Sequence, residues 1–281
     1  MNVGVGLPNT TAGLHRDLVL QWAQQADQGS FTSLGVFDRV AYDCYEPLTT
    51  LAAAAAVTRR IRLATTIVIA PLRNTTLLAK AAATIDALSN GRLTLGVAVG
   101  ARKEDYTAAH VDYGARGKII SDQLRKLRAY WEEERMGPKS SQPGGPELLI
   151  GGSSDITFAR VAGYADGYIH GGGPPRAFAR AAEKARIAWV EAGRPGQPRL
   201  WAQGYYALGS AEIIEAGADY LRDYYAFTGP FAEKIAQGLL TTPQAIIQFI
   251  RGYAEAGCDE LILYPTVSDL NQLDRLAEVM G

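Results

Sequence analysis

The stretch "LLIGGSSDIT", residues 148–157, ends an apolar run in two glycines and two serines just before a helical segment begins. Gly151 and Gly152 let a phosphate approach the backbone, the helix start presents free N–H groups, and Ser153 or Ser154 can add a hydroxyl donor. An ordinary helix cap with a glycine turn uses the same residue types. A second constellation, "VGARKEDY" at 99–106, ends a strand in Val99 and Gly100, where the chain can pass close to a ligand. Arg102 or Lys103 in the same loop could offset negative charge. A third, "FDRVAYDCY" at 37–45, offers Asp38 and Arg39. Arginine stays protonated at neutral pH, so Arg39 suits the anchoring of an oxyanion better than the shuttling of a proton. An Asp–Arg pair of this kind could equally support its own loop. His170, beside "GGGPP", stands where a general acid or base could act, although a histidine at a glycine turn also serves structure.

These residues need elements to position them. Short β-rich runs near 2–7, 33–38, 62–70, 92–99, 147–151, 166–170, 199–206 and 259–264 alternate with helical segments near 14–28, 47–58, 77–89, 116–134, 154–164, 175–192, 212–225 and 243–256, and a last helix falls near 269–279. Eight strands, each followed by a helix, predict a (β/α)8 TIM barrel spanning 1–281 as a single domain. An open doubly wound sheet would use the same alternation, but the first βα turn, "GLPNTTAGL", lacks the glycine pattern of a dinucleotide fold. Two stretches break the scheme. "MGPKSSQPGGP" (136–146) reads as a flexible connection, and "AFTGPFAEKIAQGLLTTP" (226–243) as a short helical insertion.

In such barrels the C-terminal strand ends build the active site. Asp38, Arg39, Val99, Gly100, Arg102, Gly151 to Ser154 and His170 all fall there. Tyr42, Tyr45, Tyr106, Tyr205, Tyr206 and Tyr264 also fall near strand ends, and two or three of them are expected to line an apolar pocket. "DALSNGR" (86–92) precedes a strand, so Asp86 and Arg92 are expected to tie a turn on the opposite, stability-bearing face.

Composition bounds the partners. Of 281 residues 47% are hydrophobic and 20% charged, as in a globular protein with a sizeable core, and a net charge of −1 offers no basic face for nucleic acid or anionic lipid. Cys44 and Cys258 have no metal-ligand spacing, and His15 and His110 suggest no metal site. "MNVGVGLPN" carries no leader pattern, and no apolar run would span a bilayer, so a cytoplasmic location away from membranes is expected.

The run Glu46–Tyr106, with "TIDALSNGRLTLGV" its most specific part, resembles the bacterial luciferase-like monooxygenase family of flavin-dependent oxidoreductases. The resemblance extends to "GVFDR" (35–39), "LLIGGSSDITFARVAGYADGYI" (148–169) and "GCDELILYP" (257–265). It implies a TIM barrel holding FMN or the deazaflavin coenzyme F420 in its mouth, with a non-prolyl cis peptide at Thr66–Ile67 bulging against the isoalloxazine ring. It also implies that the Gly151–Ser154 segment holds the flavin phosphate. Many relatives have histidine where Arg39 stands, and in deazaflavin-dependent dehydrogenases that histidine helps catalysis; the departure tilts the reading towards FMN. The leading expectation is therefore a monooxygenase that uses reduced FMN from a separate flavin reductase, together with O2, to oxidise a small organic, notably aromatic, substrate. Deazaflavin-dependent hydride transfer, and a flavin-binding or partner subunit without turnover, are the alternatives. A homodimer is implied by the family, with the alanine-rich second and third helices as its interface.

Overall fold

The strand segments read as nearly unbroken apolar runs, which is what a parallel sheet covered on both faces requires. In the computed structural model, which describes residues 1–133 and 137–281, eight parallel strands close in sequence order into a barrel. They are β1 (Asn2–Gly6), β2 (Ser33–Val36), β3 (Arg62–Ile69), β4 (Leu93–Ala98), β5 (Glu147–Gly151), β6 (Gly167–His170), β7 (Arg199–Tyr206) and β8 (Glu260–Pro265). Closure is made by β1 pairing with β8, Val3 opposite Leu261. The helices are α1 (Arg16–Gln28), α2 (Pro47–Val57), α3 (Thr75–Leu88), α4 (Lys103–Ala108), α5 (Arg116–Glu132), α6 (Asp155–Tyr164), α7 (Pro175–Glu191), α8 (Ala211–Tyr224), α9 (Phe231–Ala236), α10 (Pro243–Glu255) and α11 (Asn271–Met280). The eight expected strands and nine expected helices are all present. The short α4, which carries Asp105, is an addition to the expected scheme.

Local chemistry explains several starts. Pro47 opens α2 while the Glu46 carboxylate accepts the Thr49 N–H at 2.7 Å, and Asn74 caps α3 by accepting from Leu77 N at 3.1 Å. The expected insertion is a 3-10 turn at Ala226–Thr228 followed by α9, after which Leu240 returns to pair with Tyr206 at the end of β7. Glu134, the last residue of the expected fourth helix, and Met136, the first of the expected connection, lie outside the described residues.

Two cores arise from strand periodicity. Leu34, Leu63, Leu95 and Leu261 face outward and bury Trp22, Leu51, Leu78 and Leu124 of the helices. Ala64, Leu149, Ile169, Trp201, Ile262 and Tyr264 face inward and fill the barrel. On the N-terminal face Asp86 accepts N–H groups from Ser141 at 2.8 Å and Gln142 at 3.1 Å, and Arg92 donates to the carbonyls of Ile61 at 2.6 Å and Thr58 at 3.0 Å. The two residues thus tie turns, as expected for that face, each to a neighbouring segment. Among the described residues no helix is long and apolar enough to cross a membrane.

Burial pushes the Cys44 thiol up to about 11 and the Cys258 thiol up to about 12. At pH 8 only roughly a thousandth of Cys44 is then thiolate, the form that reacts. Titration with Ellman's reagent at pH 8 is expected to find both thiols slow in the folded protein and two fast thiols in guanidinium; a fast thiol in the folded state would contradict this burial.

Candidate functional site

The ends of β2 to β7 surround a cavity of about 500 Å3 at the C-terminal rim of the barrel. That is within the roughly 300–1,000 Å3 common for small-molecule sites. Its wall includes Thr66, Ile67, Val99, Gly100, Arg102, Gly151, Gly152, Ser153 and Ser154, together with Asp38 and His170. A cavity of similar size, about 490 Å3, lies between α6 and α7, lined by Phe158, Ala162, Ile187 and Ala188 on the outer helix layer, away from the strand ends.

One part of the lining is an apolar bulge in β3. The Thr66–Ile67 peptide is cis, and the pairing of β3 with β4 shifts register between Thr65 and Val68. The neighbouring strand makes room: a Cβ at Gly96 would lie 2.2 Å from the Thr65 carbonyl oxygen, so only glycine admits the bulge. The Thr65 hydroxyl then donates to the Gly96 carbonyl at 2.8 Å. From below, the Thr66 hydroxyl meets that of Tyr264, whose ring stacks on Phe37 at 3.8 Å. The bulge is therefore held from two sides, with Ile67 presented to the cavity.

The lining after β5, which begins at Gly151 beside the Ile67 side chain, is polar. Ser154 precedes α6 without its hydroxyl capping the helix; it lies 3.1 Å from the Thr157 hydroxyl instead. The first N–H groups of α6 thus face a turn whose side chain does not cap them, the arrangement that receives anions. Gly152 has φ +136°, and its carbonyl accepts from the Tyr168 hydroxyl at 2.9 Å. Arg116, at the start of α5, also lines the cavity, its guanidinium held by the Tyr113 carbonyl at 2.6 Å, and the adjacent Gly117 carbonyl accepts from Arg160 of α6 at 2.8 Å, which ties the start of α5 to α6.

The profile of the luciferase-like monooxygenase family matches residues 1–259. The chain belongs to that family. An uncharacterized protein of Mycobacterium tuberculosis is 32% identical over 171 residues, 55% of this chain and 60% of that protein. The pyrimidine monooxygenase RutA of Stutzerimonas stutzeri is 30% identical over 174 residues, 53% of this chain and 47% of RutA. The aligned part thus spans half to three fifths of the length of these curated relatives. The monooxygenase RslO1 of Streptomyces bottropensis superposes with a TM-score of 0.80 at 20% identity, covering 100% of this chain and 97% of that one. An F420-dependent secondary alcohol dehydrogenase bound to an F420-acetone adduct gives 0.78 at 17%, covering 99% and 97%. The oxygenating constituent of 3,6-diketocamphane monooxygenase of Pseudomonas putida, in complex with FMN, gives 0.70 at 16%, covering 94% and 91%. At such identities the structural likeness is one of fold.

Within this luciferase-like barrel Asp38 and His170 line the cavity at the strand ends, as expected, and Arg39 does not. Asp38 reaches the wall, but its carboxylate is clamped by Arg73 at 2.5 and 2.9 Å and by the Ile69 N–H at 2.7 Å. Arg39 does not line the cavity. Successive residues after β2 point opposite ways, and Arg39 is buried against Asp105 at 2.9 Å and Glu104 at 3.3 Å. The expected projection of Arg39 into the mouth is corrected accordingly. His170 borders the cavity, with its ring edge-on to Phe178 of α7 and Nδ1 3.0 Å from the Tyr168 hydroxyl. Burial pushes its imidazole below the usual histidine value against a smaller opposing pull from a Gly172 backbone hydrogen bond, which leaves the ring neutral at pH 7.

The six tyrosines singled out in the sequence do not form the wall. Their hydroxyls serve the frame: Tyr42 donates to Asp223 at 2.8 Å, Tyr106 to the Val99 carbonyl, and Tyr206 to the Gln272 carbonyl at 3.1 Å. Tyr205 bonds Tyr225 at 2.6 Å, and Tyr45 is exposed. The aromatic wall is instead Phe37, Tyr224, Tyr225 and Phe227, because the end of α8 bends over the mouth. Sequence reasoning also missed Arg116 and Gln203. Both carried a signal: a cation in the first turn of α5 opposes the helix dipole, and a glutamine interrupts the apolar β7.

Proposed function

We propose that this protein is a flavin-dependent monooxygenase that uses reduced FMN from a separate reductase, and O2, to oxidise a small aromatic substrate. One observation carries the reading: the same cavity is lined by the apolar Thr66–Ile67 bulge and by the uncapped Gly151–Ser154 turn, a combination of apolar surface and anion-receiving backbone that suits a flat ring with a phosphate tail. Bound reduced FMN supplies the electrons that activate oxygen for transfer to the substrate. The chain's own residues position and dehydrate. Ile67 supports one ring face, Val99 and Gly100 approach the ring edge, and Gly152, Ser153, Ser154 and Arg116 receive the phosphate. Tyr224, Tyr225 and Phe227 close the mouth and keep water out.

Oxygen chemistry is favoured over hydride transfer to a carbonyl because β2 offers the cavity no mobile proton. Asp38 is committed to Arg73 and Arg39 to Asp105. The test is an assay with a purified flavin reductase, NADH, FMN and a panel of phenols, aryl ketones and aryl carboxylic acids under 18O2. Label in the product, absent without FMN, is expected. Hydride exchange with F420 under argon would sink this reading in favour of a dehydrogenase, and flavin binding without either reaction would make the protein a non-catalytic carrier.

We also place a homodimer on α2 and α3, where Ala53, Ala56, Leu77 and Leu88 are exposed. Light scattering at the mass of one chain would remove that assignment. Replacing Tyr264 by phenylalanine deletes only the hydroxyl under Thr66, and should weaken FMN about five- to tenfold with the fold intact, as read by calorimetry.

A further inference from the structure

Arg102 crosses the mouth from the end of β4 to the end of α8. Its Nη2 donates to the Tyr224 carbonyl at 2.9 Å, and its guanidinium lies 4.3 Å from the ring centroids of both Tyr224 and Phe227. The acidic groups nearby are committed elsewhere, Asp38 to Arg73, and Glu104 and Asp105 to Arg39. The Arg102 Nε–H is buried and has no acceptor among the described residues. Buried donors are almost always satisfied, so this one calls for an acceptor that the chain does not provide.

The charge of the cavity points the same way. Among the described residues the lining holds one carboxylate, Asp38, which is paired with Arg73, and two arginines, Arg102 and Arg116. Arg116 sits beside the turn that opens α6, stacked 3.7 Å from the Tyr113 ring. On the flavin reading, on which this step rests, the phosphate accounts for Arg116 and leaves Arg102 unmatched. Arg102 is also the cation set in the aromatic wall, and a planar guanidinium there is suited to a two-oxygen anion.

We infer that Arg102 is a specificity residue for the substrate, and that the substrate is an aromatic acid. Its ring lies against Tyr225 and Phe227, and its carboxylate pairs with the Arg102 guanidinium on the cavity lining. The same donor could be claimed by a pyrimidine oxygen of reduced flavin, so the test separates the two sources.

The purified protein is titrated calorimetrically with 1-naphthoate and with 1-naphthamide, which share a ring and differ in charge, and with FMN and anaerobic reduced FMN. Wild type is expected to bind the acid at least tenfold more tightly than the amide. Arg102→Gln should weaken the acid about ten- to hundredfold, the loss of one charge-assisted hydrogen-bonded anchor, while leaving the amide and both flavin forms within about threefold. Arg102→Lys, which keeps the charge without the fork, should fall between them. Should Arg102→Gln fail to fold, the wild type alone decides: 1 M KCl must weaken the acid and spare the amide. Equal affinity for acid and amide in wild type overturns the inference. So does an Arg102→Gln protein that loses reduced FMN and keeps naphthoate. Acid selectivity lost in Arg102→Gln, with no flavin bound by any form, supports the subsite and defeats the flavin reading alone.

Discussion

Gly152→Val is expected to abolish flavin binding, with the dissociation constant rising at least about a hundredfold while the barrel stays folded. The backbone at Gly152 has φ +136°, a region closed to a β-branched side chain. A Cβ there would also stand 2.7 Å from the Thr157 Oγ1 and 3.2 Å from its Cγ2. Relief needs the turn to move away from the start of α6, yet the Tyr168 hydroxyl holds the Gly152 carbonyl and resists that movement. The N–H groups that would face the phosphate then lose their common focus, and misplacement by about 1 Å is enough to cost a hundredfold. Backbone strain of about 1–3 kcal/mol should lower the melting temperature by only several degrees in a chain of this length. Calorimetric titration with FMN and a thermal melt check both parts. Unchanged FMN affinity in the folded variant would move the phosphate away from this turn.

Asp105→Ala should be the most destabilising single change near the site, by about 3–5 kcal/mol, or about 10 °C in melting temperature. The Asp105 side chain is 0% exposed and accepts from Arg39 Nε at 2.9 Å, Val40 N at 3.0 Å and Ala41 N at 2.8 Å. Removing it leaves the buried Arg39 with Glu104, 3.3 Å away and 46% exposed, and the Ala41 carbonyl at 3.5 Å, and strands two backbone donors. The damage reaches the cavity, because the Arg39 guanidinium also lies 4.8 Å from the Tyr42 ring and 5.4 Å from that of Tyr224 on the aromatic wall. The double variant Arg39→Met with Asp105→Ala removes both charges and should recover part of the loss, a non-additivity that urea unfolding can measure. A single Asp105→Ala variant within 1 kcal/mol of wild type would show that Arg39 finds water or another partner.

The barrel was legible because its signal is local and repeated. "RLATTIVI" and "LTLGVA" are covered on both faces and so read as unbroken apolar strands, and capped starts at Glu46-Pro47 and Asn74 mark the helices on either side of the first of them. The glycine–serine turn was legible for the same reason, since a strand end, two glycines and a helix start follow one another in consecutive positions. Asp38 and Arg39 were not legible. They are adjacent in sequence but face different partners, Arg73 at a separation of 35 residues and Asp105 at 66, and no local pattern encodes either pairing. The wall tyrosines escaped for a related reason. Tyr224 and Tyr225 belong to a helix end, and only the path of α8 over the mouth turns them into lining, whereas the strand-end tyrosines are consumed by hydrogen bonds within the frame. The cis peptide at Thr66–Ile67 was expected from family resemblance, since nothing in "ATTIVI" alone distinguishes it from an ordinary buried strand.

The claim on which all else rests is that this cavity binds a flavin across the Thr66–Ile67 bulge and the Gly151–Ser154 turn. Its most direct test is a side-by-side calorimetric and absorbance titration of wild type and Gly152→Val with FMN, anaerobic reduced FMN and coenzyme F420. The account predicts saturable one-to-one binding of FMN or its reduced form to wild type, with a shift in the flavin spectrum, and no binding to the variant. Selective binding of F420 would keep the cavity and replace the oxygen chemistry with hydride transfer. Binding of none of the three to folded wild-type protein would contradict the account.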